Sequence, residues 1–155
     1  MNDLREVTIR TLNPENISEF IDLLRVFERA FETEKDILPD TQHLHGLLKR
    51  DNFITFIADH EGEVVGGLTC YILASYYSEK PIAYIFDFAV EKQLQRRGIG
   101  KKLFHAALDH FNRQGFEGVF VQADKADDYA VRFYQQTNPS QELDVNHFFY
   151  AFNHP

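Results

Sequence analysis

Apolar residues along this chain change their period several times, and each change marks an element. Residues 7–12 alternate in the manner of a short strand. Asn13 and Pro14 then supply a capping residue and a proline suited to a first helical position, after which Ile17, Phe20, Ile21, Leu24, Phe27 and Phe31 recur at helical spacing. Asp40 or Thr41 can cap a second, shorter helix that carries Leu44, Leu47 and Leu48. The apolar run at 53–58, the turn residues His60-Glu61-Gly62-Glu63 and the longer run at 64–73 read together as a β-hairpin. A further strand is predicted over 82–90. From Ile99 the pattern is helical again, with Leu103, Ala106, Ala107 and Phe111 on one face and a stop at Gln114-Gly115. A short buried strand at 119–122, a helix at 128–136 and a last strand at 148–152, after a loop holding Pro139, complete the order. No repeat or linker interrupts it.

Composition bounds what this order can build. At 155 residues, with 44% hydrophobic and 14% aromatic side chains, the chain can bury one sizeable core, so a single domain over 1–155 is expected. Cys70 is the lone cysteine and lies inside an apolar strand, which makes it a core residue rather than a nucleophile and points to a reducing compartment. No apolar run approaches the ~20 residues of a membrane span, and the first residues carry no apolar signal region; a cytoplasmic location is expected. Asp and Glu outnumber Lys and Arg by 24 to 16, a net charge of −8, which argues against a nucleic-acid binder. The same excess suits plain solubility and suits a cationic partner equally well.

Against that acidic background one stretch is basic: Gln95, Arg96, Arg97, Gly98, Ile99, Gly100, Lys101 and Lys102, placed between the strand at 82–90 and the next helix. A strand that turns through a glycine-bearing loop into a helix leaves backbone N–H groups unpaired at the helix N-terminus, which is an anion site. Gly98 and Gly100 permit close backbone approach, and Arg96, Arg97, Lys101 and Lys102 add positive charge. A pyrophosphate fits this chemistry. Neither the three-glycine dinucleotide fingerprint nor the P-loop is present.

What is present, Gln95-x-x-Gly98-x-Gly100, resembles the pyrophosphate-binding signature of the GNAT superfamily of acetyl-CoA-dependent N-acetyltransferases. Its second signature, Asn-x-x-Ala-x-x-Phe-Tyr on a helix, is matched by Asp127-x-x-Ala130-x-x-Phe133-Tyr134 with Asp in the Asn position. Glu61-Gly62-Glu63-Val64-Val65-Gly66-Gly67-Leu68, Tyr84-Ile85-Phe86-Asp87-Phe88-Ala89-Val90, Phe120-Val121-Gln122-Ala123-Asp124 and Asp127-Asp128 look like the aminoglycoside 3-N-acetyltransferase branch. The helix at 128–136 departs from the pattern by ending in Asn138 rather than Gly, and Asn tolerates the left-handed conformation that such an end needs.

The resemblance implies an α/β (α+β) fold: a mixed, mostly antiparallel central sheet flanked by helices and splayed between the strands at 82–90 and 118–122. It implies that Gln95 to Lys101 hold the pyrophosphate of acetyl-CoA, that the backbone of Phe88, Ala89 and Val90 pairs with the pantetheine arm, and that Asp127, Ala130 and Phe133 complete the cofactor site. Tyr134 is carried over as general acid, since a phenol keeps its proton at neutral pH. Phe31, Glu32, Asp87, Gln122, Asp124 and Asp128 are the acceptor-side candidates. By its own chemistry Asp87, a carboxylate in an apolar strand, either accepts backbone hydrogen bonds or binds and deprotonates the amine, directly or through water. Asp124, Asp127 and Asp128, with Glu32 and Glu34 at the end of the first helix, could line a cleft for a cation, although a solvated loop would look the same.

No metal is expected: the seven His are scattered, and His43 and His45 do not share a helix face. The expected activity is acetyl transfer to a primary amine of a polycationic small molecule such as an aminoglycoside. A polyamine, a metabolite amine or a protein amino group remains an alternative acceptor, and a catalytically silent acyl-CoA-binding module is the alternative of another class. The resemblance admits a homodimer, though nothing in the apolar pattern requires one.

Overall fold

The computed structural model describes residues 6–33 and 38–154; Glu34, one of the acidic candidates, lies outside them. The chain divides into two compact units, the first ending at Gln122 and the second beginning at Ala123.

The first unit runs β1 (Val7–Thr11), α1 (Ile17–Phe31), α2 (Thr41–Leu48), β2 (Phe53–His60), β3 (Glu63–Leu73), β4 (Ile82–Val90), a 3-10 turn (Lys92–Leu94), α3 (Ile99–Arg113) and β5 (Gly118–Val121). The five strands form one sheet in sequence order. Its first three pairings are antiparallel and the last, β4 with β5, is parallel. The mixed, mostly antiparallel sheet expected from the resemblance is therefore present.

Local chemistry accounts for most boundaries. Glu61 and Gly62 both take positive φ, 54° and 85°, as a two-residue hairpin turn requires, so β2 and β3 are joined tightly. Asp40 caps α2 by accepting from the N–H of Gln42 at 2.7 Å. At α1 the expected start is corrected. Asn13 does not cap it; Asn13 accepts from the N–H of Glu15, the carbonyl of Asn13 takes the N–H of Asn16, and the helix begins only at Ile17. The short side chain of Asn13 competes for the backbone and makes a turn first.

Alternate residues of β2 face opposite sides. Phe53 packs with Phe20 of α1 and with Leu44 and Leu48 of α2, and Ile57 joins Leu23, Val26 and Phe27 of α1. Phe56 points the other way, its ring 6.0 Å from Phe111 of α3. Leu23, Ile57, Leu103 and Phe111 are at most 1% exposed, and burying a side chain of this size contributes roughly 1.5–3 kcal/mol. On α3, Phe104 is buried and Ala106 only half-buried, so the core face is turned slightly from the one expected. Cys70 is fully buried, and burial pushes its thiol up to about 12. Gly67 lets α1 approach the sheet: a Cβ there would stand 2.5 Å from the Phe56 carbonyl oxygen and 2.6 Å from Leu23 Cδ1.

β5 is not the buried strand expected at 119–122. Its residues alternate between exposed and half-buried, because it is the edge of the sheet.

In the second unit α4 (Asp128–Gln136) follows a turn at 124–127. Asp127 caps it, accepting from the N–H of Ala130 at 3.1 Å. The helix ends through Thr137 and Asn138, the latter at φ 60°, so asparagine does take the left-handed position. The strand expected at 148–152 does not form; those residues are irregular, with Phe148, Phe149, Tyr150 and Phe152 exposed. Aromatic residues favour a strand only where a ladder partner gives them a pleated surface to sit on. Among the described residues no helix is long and apolar enough to cross a membrane.

Candidate active site

The sheet opens where β4 and β5 part. Their parallel register runs from Ile82↔Gly118 to Ile85↔Val121, and the remaining residues of β4, including Phe88, Ala89 and Val90, continue beyond the last paired residue of β5. The backbone of β4 on that side is left to pair with something other than β5.

A bulge falls at the same point. Cys70 pairs with Ile85 and its neighbour Thr69 pairs with Asp87, so Phe86 is an extra residue in β4. Because Thr69 and Cys70 face opposite sides, Asp87 emerges opposite Ile85, on the same side as Phe86. That side is the one covered by α1: Phe86 meets Tyr71 edge-on at 5.7 Å, and Ala89 packs against the Leu23 cluster. Phe88 faces α3, its ring 6.2 Å from Phe104. The backbone N–H of Asp87 donates to Oγ1 of buried Thr69 at 3.3 Å, and the carboxylate is half-buried.

Past Val90 the chain makes the turn Lys92–Leu94 and enters the basic loop. Gln95 closes that turn, its Nε2 donating to the carbonyl of Val90 at 3.0 Å, so its side chain braces the loop from within. Arg96 and Gly98 take positive φ, 62° and 88°. Gly98 is the N-cap of α3 and has no side chain to cap it, no acid stands in the first turn, and a Cβ on Gly98 would meet nothing within 4 Å. The first N–H groups of α3 therefore point into open space with the positive end of the helix dipole behind them. Exposed Arg96, Arg97 and Lys101 surround that point. Lys102 does not: its ammonium donates to the carbonyl of Val7 and ties α3 to β1. Arg96 to Lys101 fit a pyrophosphate by geometry and charge.

Two ion pairs tie the end of α1 to the turn before this loop. Arg29 Nε donates to Glu91 Oε1 at 3.0 Å, and Lys92 Nζ meets Glu32 Oε1 at 2.5 Å. The hydrogen bond and charge of Lys92 hold the exposed Glu32 carboxyl below its ordinary range. Phe31, half-exposed, stacks on Phe27 at 5.7 Å. Gln122 accepts from the Tyr84 hydroxyl at 3.0 Å. Tyr84 and Phe120, whose rings lie parallel at 4.6 Å, open two of the segments that carry the resemblance, but neither is among the acceptor-side candidates.

The second unit gathers the other candidates. Asp124 accepts from the N–H of Ala126 at 2.9 Å, Asp127 caps α4, and Asp128 lies in its first turn. Ala130 and Phe133 follow on α4, where Phe133 meets Tyr134 edge-on at 5.3 Å. Burial, and then the charge of Asp127, push the Tyr134 phenol up to about 12.

A mixed sheet that parts beside a bulge, and a basic loop feeding an uncapped helix, define an N-acetyltransferase fold. Residues 19–138 match the acetyltransferase (GNAT) family, and the chain belongs to it; acetyl-CoA is the acyl donor of that family. Three relatives are informative. The aminoglycoside acetyltransferase meta-AAC0020, from an uncultured soil metagenomic sample, is 47% identical, with 97% of this chain and 100% of that one covered and a TM-score of 0.95; its crystal structures contain trehalose and sisomicin. The aminoglycoside acetyltransferase HMB0005, also from an uncultured soil metagenomic sample, is 32% identical, with 95% and 99% covered and a TM-score of 0.87. The uncharacterised N-acetyltransferase YhfO of Bacillus subtilis (strain 168) is 23% identical over 142 residues, 92% of this chain and 95% of its own.

Proposed function

We propose that this enzyme moves the acetyl group of acetyl-CoA to a primary amine of an aminoglycoside, at the 3-N position by resemblance. The observation that carries this reading is the 47% identity, across 97% of the chain, to an aminoglycoside acetyltransferase crystallised with sisomicin. The half-buried Asp87 carboxylate, set beside the opening of the sheet, supports a cationic amine as acceptor.

Each residue has a task in this reading. Arg96, Arg97, Gly98, Ile99, Gly100 and Lys101 hold the pyrophosphate, Gln95 braces them, and β4 from Phe88 to Val90 takes the pantetheine arm as an added strand. Asp127, Ala130 and Phe133 belong to the same cofactor site. Asp87 anchors the ammonium and takes its proton, and the neutral amine forms the C–N bond as the C–S bond breaks, its second N–H proton passing to water to leave the amide. Tyr134, still protonated far above neutral pH, donates to the departing sulfur. Phe31, Glu32, Gln122, Asp124 and Asp128 face the acceptor. The whole chain acts as one acetyltransferase domain, in the cytoplasm.

Thiol release from acetyl-CoA, measured with an aminoglycoside panel, spermidine and a lysine peptide, tests the reading. Turnover with aminoglycosides and a 3-N-acetylated product are expected. Turnover confined to spermidine or peptide overturns the acceptor, and acetyl-CoA binding without turnover overturns the enzyme in favour of a binding module. Acetylation by Asp87→Asn that matches wild type at every pH removes Asp87 as base.

A further inference from the structure

One row of aromatic side chains crosses four strands in a single register. Phe53 pairs with Tyr71, Tyr71 with Tyr84, and Tyr84 with Phe120. At one end the row is sealed by α1, where Phe20 lies 5.9 Å from Phe53. At the other end it surfaces: Phe53 is 6% exposed, Phe120 40% and Phe86 57%. Phe86, displaced by the bulge, stands edge-on to both Tyr71 and Tyr84, at 87° and 89°. Tyr84 and Phe120 are within 9° of parallel. The rings hold one another, Tyr84 and Phe120 covering each other's facing sides, so the exposed end is a fixed apolar surface made by the open parts of the Phe120 and Phe86 rings.

Polar groups border it in a particular way. The Tyr84 hydroxyl donates to Gln122 Oε1 and so orients that carboxamide, whose nitrogen carries two further N–H donors. Asp87 follows Phe86 and emerges on the same side of the sheet. An aromatic face, an oriented amide and a carboxylate together match an amine borne on a hydroxylated ring. The C–H face of the ring stacks, a hydroxyl takes the amide, and the ammonium meets Asp87. An open-chain polyamine has no ring to stack and no hydroxyl for the amide.

We infer that Tyr84, Phe86 and Phe120, with Gln122, form a shelf that takes a sugar ring of the acceptor and thereby selects ring-bearing amines over open-chain ones. The inference rests on the acceptor reading above and deepens it. Planar stacking contributes little to an ammonium held elsewhere, so the shelf acts on the acceptor's affinity rather than on the rate of transfer.

The test compares wild type with Phe120→Ala, Phe120→Leu and the exposed truncation Gln122→Ala, using sisomicin and spermidine as acceptors. NMR saturation transfer to maltose, which has rings and no amine, is measured in parallel. Phe120→Ala should raise the ratio of the sisomicin KM to the spermidine KM about tenfold with the sisomicin kcat retained. Gln122→Ala should move the ratio in the same direction, and saturation transfer to maltose should fall in both. A ratio that does not move, or one that Phe120→Leu restores, overturns stacking. If wild type acetylates no aminoglycoside, the acceptor reading falls, and maltose alone decides the shelf: transfer lost in Phe120→Ala supports it, and no transfer to wild type overturns it.

Discussion

Arg29, in the last turn of α1, holds Glu91 at the end of β4 across 62 residues of sequence, with Nε 3.0 Å from Oε1. Glu91 is also fixed through its backbone, whose N–H donates to the carbonyl of Val65 at 2.9 Å. The next residues make the turn that leads into the basic loop. The end of the helix that carries Phe31 and Glu32 and the start of the loop are thus one mechanical piece.

Glu91→Gln should cost about 1–2 kcal/mol of stability, since it removes a charge-assisted bond from a largely buried carboxylate. It should also raise the KM for acetyl-CoA severalfold, because the turn before the loop loses its brace. Urea unfolding and initial rates check both effects. Additive losses in a cycle with Arg29→Ala would show that the two side chains act independently.

Tyr134→Phe keeps the ring against Phe133 and removes only the hydroxyl. Turnover should fall about a hundred- to ten-thousand-fold while acetyl-CoA affinity stays near wild type. With its pKa raised by burial from 10.0 to about 12, the phenol keeps its proton across the neutral range. The folded state holds this proton more tightly than the unfolded chain does. Tyr134 therefore supports stability fully below pH 10, and the support is lost as pH climbs toward 12. No alkaline loss of activity below that window should trace to Tyr134. A wild-type break in kcat near pH 9 that Tyr134→Phe abolishes would contradict this.

Gly67 and Gly98 should fail in different ways when changed to alanine. At Gly67 the new methyl meets backbone oxygen at 2.5 Å, so the fold should lose about 3 kcal/mol or more and the melting temperature should drop steeply. At Gly98 there is room but φ is +88°, so the penalty is about 1–2 kcal/mol of backbone strain, located in the loop. Gly98→Ala should fold and show a raised KM for acetyl-CoA. Calorimetry beside kinetics separates the two.

Cys70 should resist iodoacetamide at pH 8 in the native protein and react readily in urea. Its thiol is raised from 9.0 to about 12 by burial, so the folded state disfavours the thiolate that alkylation needs. Rapid labelling of native protein, followed by mass spectrometry, would show that the strand opens locally.

Sequence reading succeeded where one residue's local chemistry decides the outcome. Asp40 caps, Glu61-Gly62 turns, Gly115 ends α3 with positive φ, and Asn138 ends α4. It failed where the deciding partner is remote. The strand expected at 148–152 needed a neighbour to pair with, which no alternation of side chains can supply. Lys102 adjoins the basic loop in sequence, yet its ammonium is held by the carbonyl of Val7, 95 residues away. The bulge at Phe86 is one residue long and leaves no trace in a run that is apolar on both sides. Asp87 is legible as a charge out of place, whereas Tyr84 and Phe120 stand in segments that carry the resemblance with no role of their own. Their pairing depends on the register of two parallel strands whose helical crossover the sequence shows but whose alignment it does not.

The brevity of β5 makes the opening beside β4 a matter of strand length. Four residues of β5 run beside the nine of β4, and the surplus is the edge proposed to take the pantetheine arm. Extending the shorter strand by two or three residues of strand-forming sequence would zip the crevice shut and silence the enzyme with every loop, acid and tyrosine intact. The off-state would be an ordinary, fully paired sheet.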